Sequence, residues 1–150
     1  MAKKSLEEKL SNPRKVVKLD AKKQKRLKAK TLLIPSGWDI EGQVRKVPRG
    51  KLATVGWVRS QLAQRFGADT ACPMVTGIML RLVGELSEER MAAGKKRVAP
   101  YWRIVKDDGS LIDKFPGGVQ RQASLLEAEG FSIDRTKRKW KVVDFQSALV

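Results

Sequence analysis

The most reactive side chain in this 150-residue sequence is its single thiol, Cys72, and no histidine accompanies it. A thiol acts as a nucleophile only when deprotonated, and a helix N-terminus favours the thiolate. Cys72 stands just ahead of such an N-terminus, because Pro73 suits the first position of a helix. No imidazole is available to activate it, and free cysteine is among the most often buried side chains. Cys72 is therefore read as a half-buried structural thiol. The lack of histidine excludes histidine-based acid–base catalysis, a Ser-His-Asp triad and the common zinc sites. No metal, cofactor or catalytic residue is expected. One cysteine allows no intrachain disulfide, which suits a reducing cytosol.

Positive charge is the commoner chemistry. Thirty-two Lys and Arg against 16 Asp and Glu give a net charge of +16 and a pI near 10.3. Such a balance calls for a polyanionic partner, because each phosphate neutralised releases condensed counterions. Residues 1–30 carry twelve cations and three acids, a net +9. They are expected to form a basic N-terminal arm ahead of a domain spanning 31–150. The like-charge run from Lys22 to Lys30 predicts a solvated or mobile segment. It either tracks phosphates or solubilises the chain. Candidate phosphate contacts are Lys22, Lys23, Lys25 and Arg26, then Lys95, Lys96 and Arg97, then Lys137, Arg138 and Lys139, with Arg135 and Lys141 beside the last group. Solvated lysines are the plainer reading of many of them. No stretch approaches the roughly 20 apolar residues that span a bilayer, and MAKKSLEEKL lacks the apolar core of a secretory signal. A cytoplasmic protein without a membrane partner is expected, nucleoid-associated if bacterial.

These groups need elements to position them. Ser5–Leu10 predicts a helical turn or two, Val16–Leu19 a short strand, and Thr31–Ile34 a strand ended by Pro35. Ser36 caps a helix to about Lys46, and Thr54 caps another over Val55–Arg65. A long helix from Pro73 to about Ala93 follows, with Val75, Ile78, Met79, Leu82, Val83 and Leu86 as its apolar stripe. Two helices joined by a tight turn are compatible with a helix-turn-helix, and equally with two core helices. Tyr101–Lys106 reads as a strand, Val119–Glu129 as a helix after a flexible Gly117–Gly118 joint, and Phe131–Asp134 with Lys139–Phe145 as a hairpin. Trp38 and Trp57 are read as core, and Trp140 as a candidate base-stacking ring.

Three blocks carry a resemblance. Val47-Pro-Arg-Gly-Lys-Leu-Ala-Thr-Val-Gly56, Pro100-Tyr-Trp-Arg-Ile-Val-Lys-Asp-Asp-Gly109 and Gly117-Gly-Val-Gln-Arg-Gln-Ala-Ser-Leu-Leu-Glu-Ala-Glu-Gly130 occur in order and at fitting spacing. Together they resemble the DNA-binding domain of methylated-DNA–protein-cysteine methyltransferases and their alkyltransferase-like relatives, over residues 47–131. The resemblance implies an α/β fold with a winged helix-turn-helix-like domain of the alkyltransferase C-terminal type, flanked here by the basic N-terminal extension and the C-terminal β-hairpin. It places the family's nucleophilic cysteine on Tyr101, the activating histidine on Trp102 and the relay carboxylate on Glu129. Arg103 matches a structural arginine. The nucleotide-turning tyrosine falls on Val55, the intercalating arginine near Pro73, and the tyrosine beside the base pocket on Phe115.

The resemblance therefore implies DNA binding without alkyl transfer. The DNA-binding residues expected from it are Thr54, Val55, Pro73, Thr76, Gly77 and Arg81. Tyr101, Phe115, Gly117 and Gly118 are expected around a base pocket, with Tyr101 facing it and Trp102 turned inward. Thr76 and Gly77 are short enough for close approach to a groove, or for tight helix packing. The expected partner is duplex DNA, intact, alkylated at guanine or distorted, bound by a monomer serving DNA repair. Two alternatives stay open: a divergent methyltransferase using Cys72, and a general nucleic-acid or nucleoid-binding protein.

Overall fold

The computed structural model describes residues 4–150. Its elements run α1 (Leu6–Leu10), β1 (Lys15–Lys18), α2 (Ala21–Leu27), β2 (Thr31–Ile34), α3 (Gly37–Val44), β3 (Ala53–Thr54), α4 (Val55–Arg65), β4 (Thr70–Ala71), α5 (Pro73–Ala92), β5 (Ile104–Val105), α6 (Gly118–Ala128), β6 (Ile133–Asp134) and β7 (Lys141–Val142). This is the mixed α/β arrangement expected. Among the described residues no helix is long and apolar enough to cross a membrane.

The basic N-terminal segment is built into the domain. Strand β1 pairs antiparallel with β2, from Lys15 opposite Ile34 to Lys18 opposite Thr31. Strand β2 pairs in parallel with β4, which lies in the turn between α4 and α5. The extension thus fastens the helix-turn-helix. Its anchor is Leu10, fully buried over Gly37, where an added Cβ would fall about 2.5 Å from the Leu10 backbone. Full burial of one leucine contributes about 2 kcal/mol. Around it, Asn12 donates to the Pro35 carbonyl at 2.9 Å and accepts from the Gly37 N–H at 2.7 Å. Arg14 pairs with Asp39 at 2.9 Å and lies over the Phe66 ring. The expected division at residue 30 therefore has no counterpart in the packing, since the strand pairing runs across it. Residues 1–3 of that arm lie outside the described residues.

The run expected to be solvated contains helix α2. Asp20 caps it, accepting from the Lys23 N–H at 2.8 Å, and Gln24 donates to the Leu19 carbonyl. A cap and side-chain bonds offset the like-charge repulsion, which solvent screens at an exposed helix.

Helices α3, α4 and α5 bury the main core around Ile40, Val44, Val58, Leu62, Leu80 and Val83. Both expected caps form: Ser36 makes a reciprocal capping box with Asp39, and Thr54 accepts from the Trp57 N–H at 3.0 Å. A second core, of Leu52, Val105, Leu111, Ala123, Leu126, Val142 and Phe145, lies under α6 and the β6–β7 hairpin. Strands β3 and β5 pair in parallel and join the two.

The segment expected as a strand from Tyr101 begins instead as a 3-10 turn, Tyr101–Arg103, with β5 following. Its backbone partners explain the difference. The Arg103 N–H folds back to the Pro100 carbonyl, and the buried Gln122 amide donates to the Trp102 and Ile104 carbonyls at 3.1 and 2.8 Å. A side chain from α6 thus occupies acceptors that a neighbouring strand would need.

Candidate nucleic-acid interface

Helix α5 is exposed in its first turn at Pro73 and Met74. Its buried residues are Thr76, Met79, Leu80, Leu82, Val83, Gly84, Leu86 and Ser87. The stripe facing the core is rotated from the expected one: Thr76 is fully buried, whereas Ile78 is 42% exposed. Two small polar residues, Thr76 and Ser87, sit on the buried face. The Ser87 hydroxyl donates to the Ala99 carbonyl at 2.8 Å, and the Thr76 hydroxyl has no hydrogen-bond partner among the described residues.

This rotation turns Pro73, Met74, Gly77, Ile78 and Arg81 outward. With Val55, Lys106, Ile112, Lys114 and Phe115 they line a cleft of about 340 Å³. Met74 is 71% exposed at the second position of the helix. The floor is apolar and three cations, Arg81, Lys106 and Lys114, stand around it. Arg81 also pairs with Glu85 at 2.9 Å. On the far side of Pro73 and Met74 lies a second cleft, walled by Leu19, Lys23, Arg26, Leu27, Leu32 and Cys72. The α2 cations thus adjoin the start of α5.

Behind the first cleft, Tyr101 is fully buried. Its ring meets Phe115 edge-on at 5.0 Å and Trp102 at 5.4 Å. Gly84 admits it to α5: a Cβ there would stand 3.3 Å from the tyrosine ring and 2.9 Å from Pro116. The Tyr101 hydroxyl donates to Glu88 at 2.6 Å, and Arg121 grips the same carboxylate at 3.0–3.2 Å. Burial first, and the Glu88 carboxylate second, push the phenol well above its ordinary value of 10.0.

Trp102 faces the other way. Its indole N–H donates to Glu129 at 2.6 Å, and Arg103 donates to both oxygens of that carboxylate at 3.0 Å. The Gly50 N–H reaches Glu129 at 3.0 Å and Arg103 donates to the Val47 carbonyl at 2.7 Å. One carboxylate therefore ties α6, the 3-10 turn and the 47–50 loop together. Arg103 has the structural contacts expected of it.

The expected DNA-contact set is brought together in part. Val55, Pro73, Gly77, Arg81 and Phe115 line the first cleft, and Thr54 caps α4 beside it. Thr76 points into the core, because the helix is rotated. Tyr101 does not face the cleft and Trp102 is not the inward ring. The 3-10 turn reverses the alternation that a strand would have imposed, leaving Tyr101 buried and Trp102 half-buried. Gly117 and Gly118, both at positive φ, form the turn into α6 and do not line the cleft. Met74, Ile78, Lys106, Ile112 and Lys114 were missed. The i to i+4 spacing of Met74 and Ile78 was the signal for their shared face.

The cationic groups are dispersed. Lys22, Lys23, Lys25 and Arg26 lie on α2. Lys95, Lys96 and Arg97 follow the opposite end of α5, about 30 Å from its start at 1.5 Å per residue over 20 residues. Lys137, Arg138 and Lys139 occupy the hairpin tip. Trp140 is half-buried, with Arg135 over its ring at 4.8 Å.

A helix-turn-helix whose second helix begins exposed, backed by an aromatic pair, a carboxylate and an arginine, is the build of an alkyltransferase-like DNA-binding domain. The chain belongs to the family described as the DNA-binding domain of 6-O-methylguanine DNA methyltransferase, whose model matches residues 38–131. It is similar in fold to two structures from S. pombe. Atl1 in complex with damaged DNA containing O6-carboxymethylguanine matches with a TM-score of 0.53 and 20% identity, over 76% of this chain and 93% of that one. The alkyltransferase-like protein in complex with DNA matches with a TM-score of 0.54 and 22% identity, over the same shares. No curated protein is similar enough in sequence to match.

Proposed function

We propose that this chain is a non-catalytic duplex-DNA-binding protein of the alkyltransferase-like type that recognises alkylated or distorted DNA in repair. The observation that carries it is the state of the position matching the family's nucleophile. Alkyl transfer needs an anionic nucleophile near neutral pH. At this position stands a buried phenol whose hydroxyl is given to Glu88 and whose deprotonation is disfavoured. Beside it, the Trp102 indole only donates. It cannot take a proton and pass it to Glu129. Cys72 lines the cleft beside α2, away from Phe115, and supplies no thiol to the first cleft.

The first cleft instead has the make-up of a contact surface. Apolar side chains that enter a minor groove unstack base steps, and the exposed Met74 is placed for that task in preference to the rigid Pro73. Arg81, Lys106, Lys114 and the α2 cations suit contacts with flanking phosphates. The build of the two S. pombe complexes, both holding DNA, supports the same reading.

The test is incubation with a duplex carrying O6-methylguanine, with the intact protein mass measured alongside titrations of that duplex and its unmodified counterpart at two salt concentrations. The expected result is an unchanged mass, binding that weakens steeply with salt, and tighter binding of the modified duplex. A gain of one methyl group on the protein overturns the non-catalytic reading. Equal affinity for both duplexes replaces lesion recognition by general DNA binding.

A further inference from the structure

The end of α5 opposite the cleft carries a second concentration of positive charge. Arg45, Arg49, Lys96, Arg97 and Arg103 surround a depression of about 410 Å³, with Trp102 and Glu129 in its wall. Two of these cations are already neutralised: Arg45 by Glu41, and Arg103 by Glu129. The Glu129 carboxylate is fully committed to Trp102, Arg103 and the Gly50 N–H. Arg49 makes a bond to the Ala128 carbonyl that leaves its charge uncompensated. Lys96 and Arg97 are exposed and make no ion pair among the described residues. The depression thus holds three uncompensated cations on a concave surface.

We propose that this depression is a second phosphodiester-binding site, which lets one molecule hold two segments of duplex DNA. The inference rests on the DNA-binding reading of the α5 N-terminal end. A protein interface concentrates apolar side chains at its centre and sheds charge there. Five of the nine residues lining this surface are Lys or Arg, beside Val98, Pro100 and Trp102, and guanidinium forks suit phosphate. The backbone of a nucleic acid fits that pattern better than an acidic protein.

The same duplex does not serve both ends. The line from Gly77 through Arg81 continues at four-residue steps to Glu85 and Glu89, and Glu88 lies alongside. A duplex running along α5 from the cleft to the depression would pass over these carboxylates. Glu85 and Glu88 are paired with Arg81 and Arg121, while Glu89 makes no ion pair among the described residues. DNA is also stiff on the scale of one domain, with a persistence length of roughly 150 base pairs, so one duplex would reach both ends only by lying straight along α5. Two separate segments satisfy both ends without that alignment and without passing over Glu89.

The experiment immobilises one duplex on beads and measures how much of a second, fluorescent duplex the full chain retains on them. Binding of the fluorescent duplex in solution is measured in parallel, with the oligomeric state followed by sedimentation. The unmodified protein is expected to retain the second duplex as a monomer. The double variant Lys96→Glu/Arg97→Glu is expected to lose about tenfold in retention while its affinity for a single duplex changes less than about twofold, since it removes about two phosphate contacts from one site only. Both substitutions lie in an exposed loop, so the fold is preserved, and the milder Lys96→Gln/Arg97→Gln is expected to fall between. Retention unaffected by the double variant overturns the inference. So does an equal loss of single-duplex affinity, which would place the depression within one continuous footprint, and so does retention that appears only with a dimer. A protein that binds a single duplex but retains no second one overturns this inference alone. A protein that binds no duplex overturns the DNA-binding reading itself.

Discussion

Two clusters of the same composition flank the 3-10 turn at residues 101–103. In one, an aromatic hydroxyl, Tyr101, and Arg121 converge on Glu88. In the other, an aromatic N–H, Trp102, and Arg103 converge on Glu129. The aromatic-to-carboxylate distance is 2.6 Å in both. What differs is solvent. The Glu88 and Arg121 side chains are 25% and 42% exposed, whereas those of Glu129 and Arg103 are 3% and 13% exposed. An exposed pair is worth little because water screens it. Removing one member of a buried pair strands the other as an uncompensated charge. The difference gives Glu129, the residue that the resemblance matches to the family's relay carboxylate, a structural task of its own. Glu129 holds three segments in register, and that task does not depend on catalysis.

The sharpest way to break the comparison is Glu129→Ala. It is expected to destabilise the fold by about 3–5 kcal/mol, because Arg103 is left buried without its partner and the 47–50 loop loses its tie. Denaturant unfolding measures this, and a cost below that of Glu88→Ala would invert the ranking. Glu88→Ala is expected to cost about 1–2 kcal/mol in the same experiment, chiefly through the unsatisfied Tyr101 hydroxyl, since Arg121 can turn to water. Tyr101→Phe removes only one hydrogen bond and is expected to cost about 1 kcal/mol.

The smallest effect is on pH dependence. Tyr101 is the only tyrosine, so phenolate absorbance reports on it alone. Its folded pKa is raised above the ordinary 10.0. The unfolded chain therefore gives up that proton first, and the contribution to stability is complete below pH 10 and declines as pH rises past it. Phenolate absorbance is expected only together with alkaline unfolding. Its appearance near pH 10 in the folded protein would show that the Tyr101 cluster is open to water.

Some of this was readable in advance because the signals are local. Ser36 and Thr54 announce their helices, since a cap needs only the next three residues. The blocks at 47–56, 100–109 and 117–130 announced the fold, and the 3-10 turn, the 47–50 loop and Gln122 indeed meet there. The side-chain directions were not legible. Thr76 and Ser87 look like solvent-facing residues, yet tertiary packing buries both and so rotates α5 about its axis. Tyr101 and Trp102 exchanged their expected faces because Gln122, distant in sequence, takes the acceptors around them. Leu10 gives no sign that its partner is Gly37, which only proximity reveals.

By itself, the sequence determined the charge, the absence of histidine, the single thiol and the presence of Tyr101 and Trp102 side by side. These are properties of residue identity, and they hold in any fold. Which carboxylate is buried, which helix face opens onto a cleft, and whether the basic extension docks were decided by tertiary structure. Each depends on solvent exclusion, and solvent is excluded only by side chains brought together from distant parts of the chain.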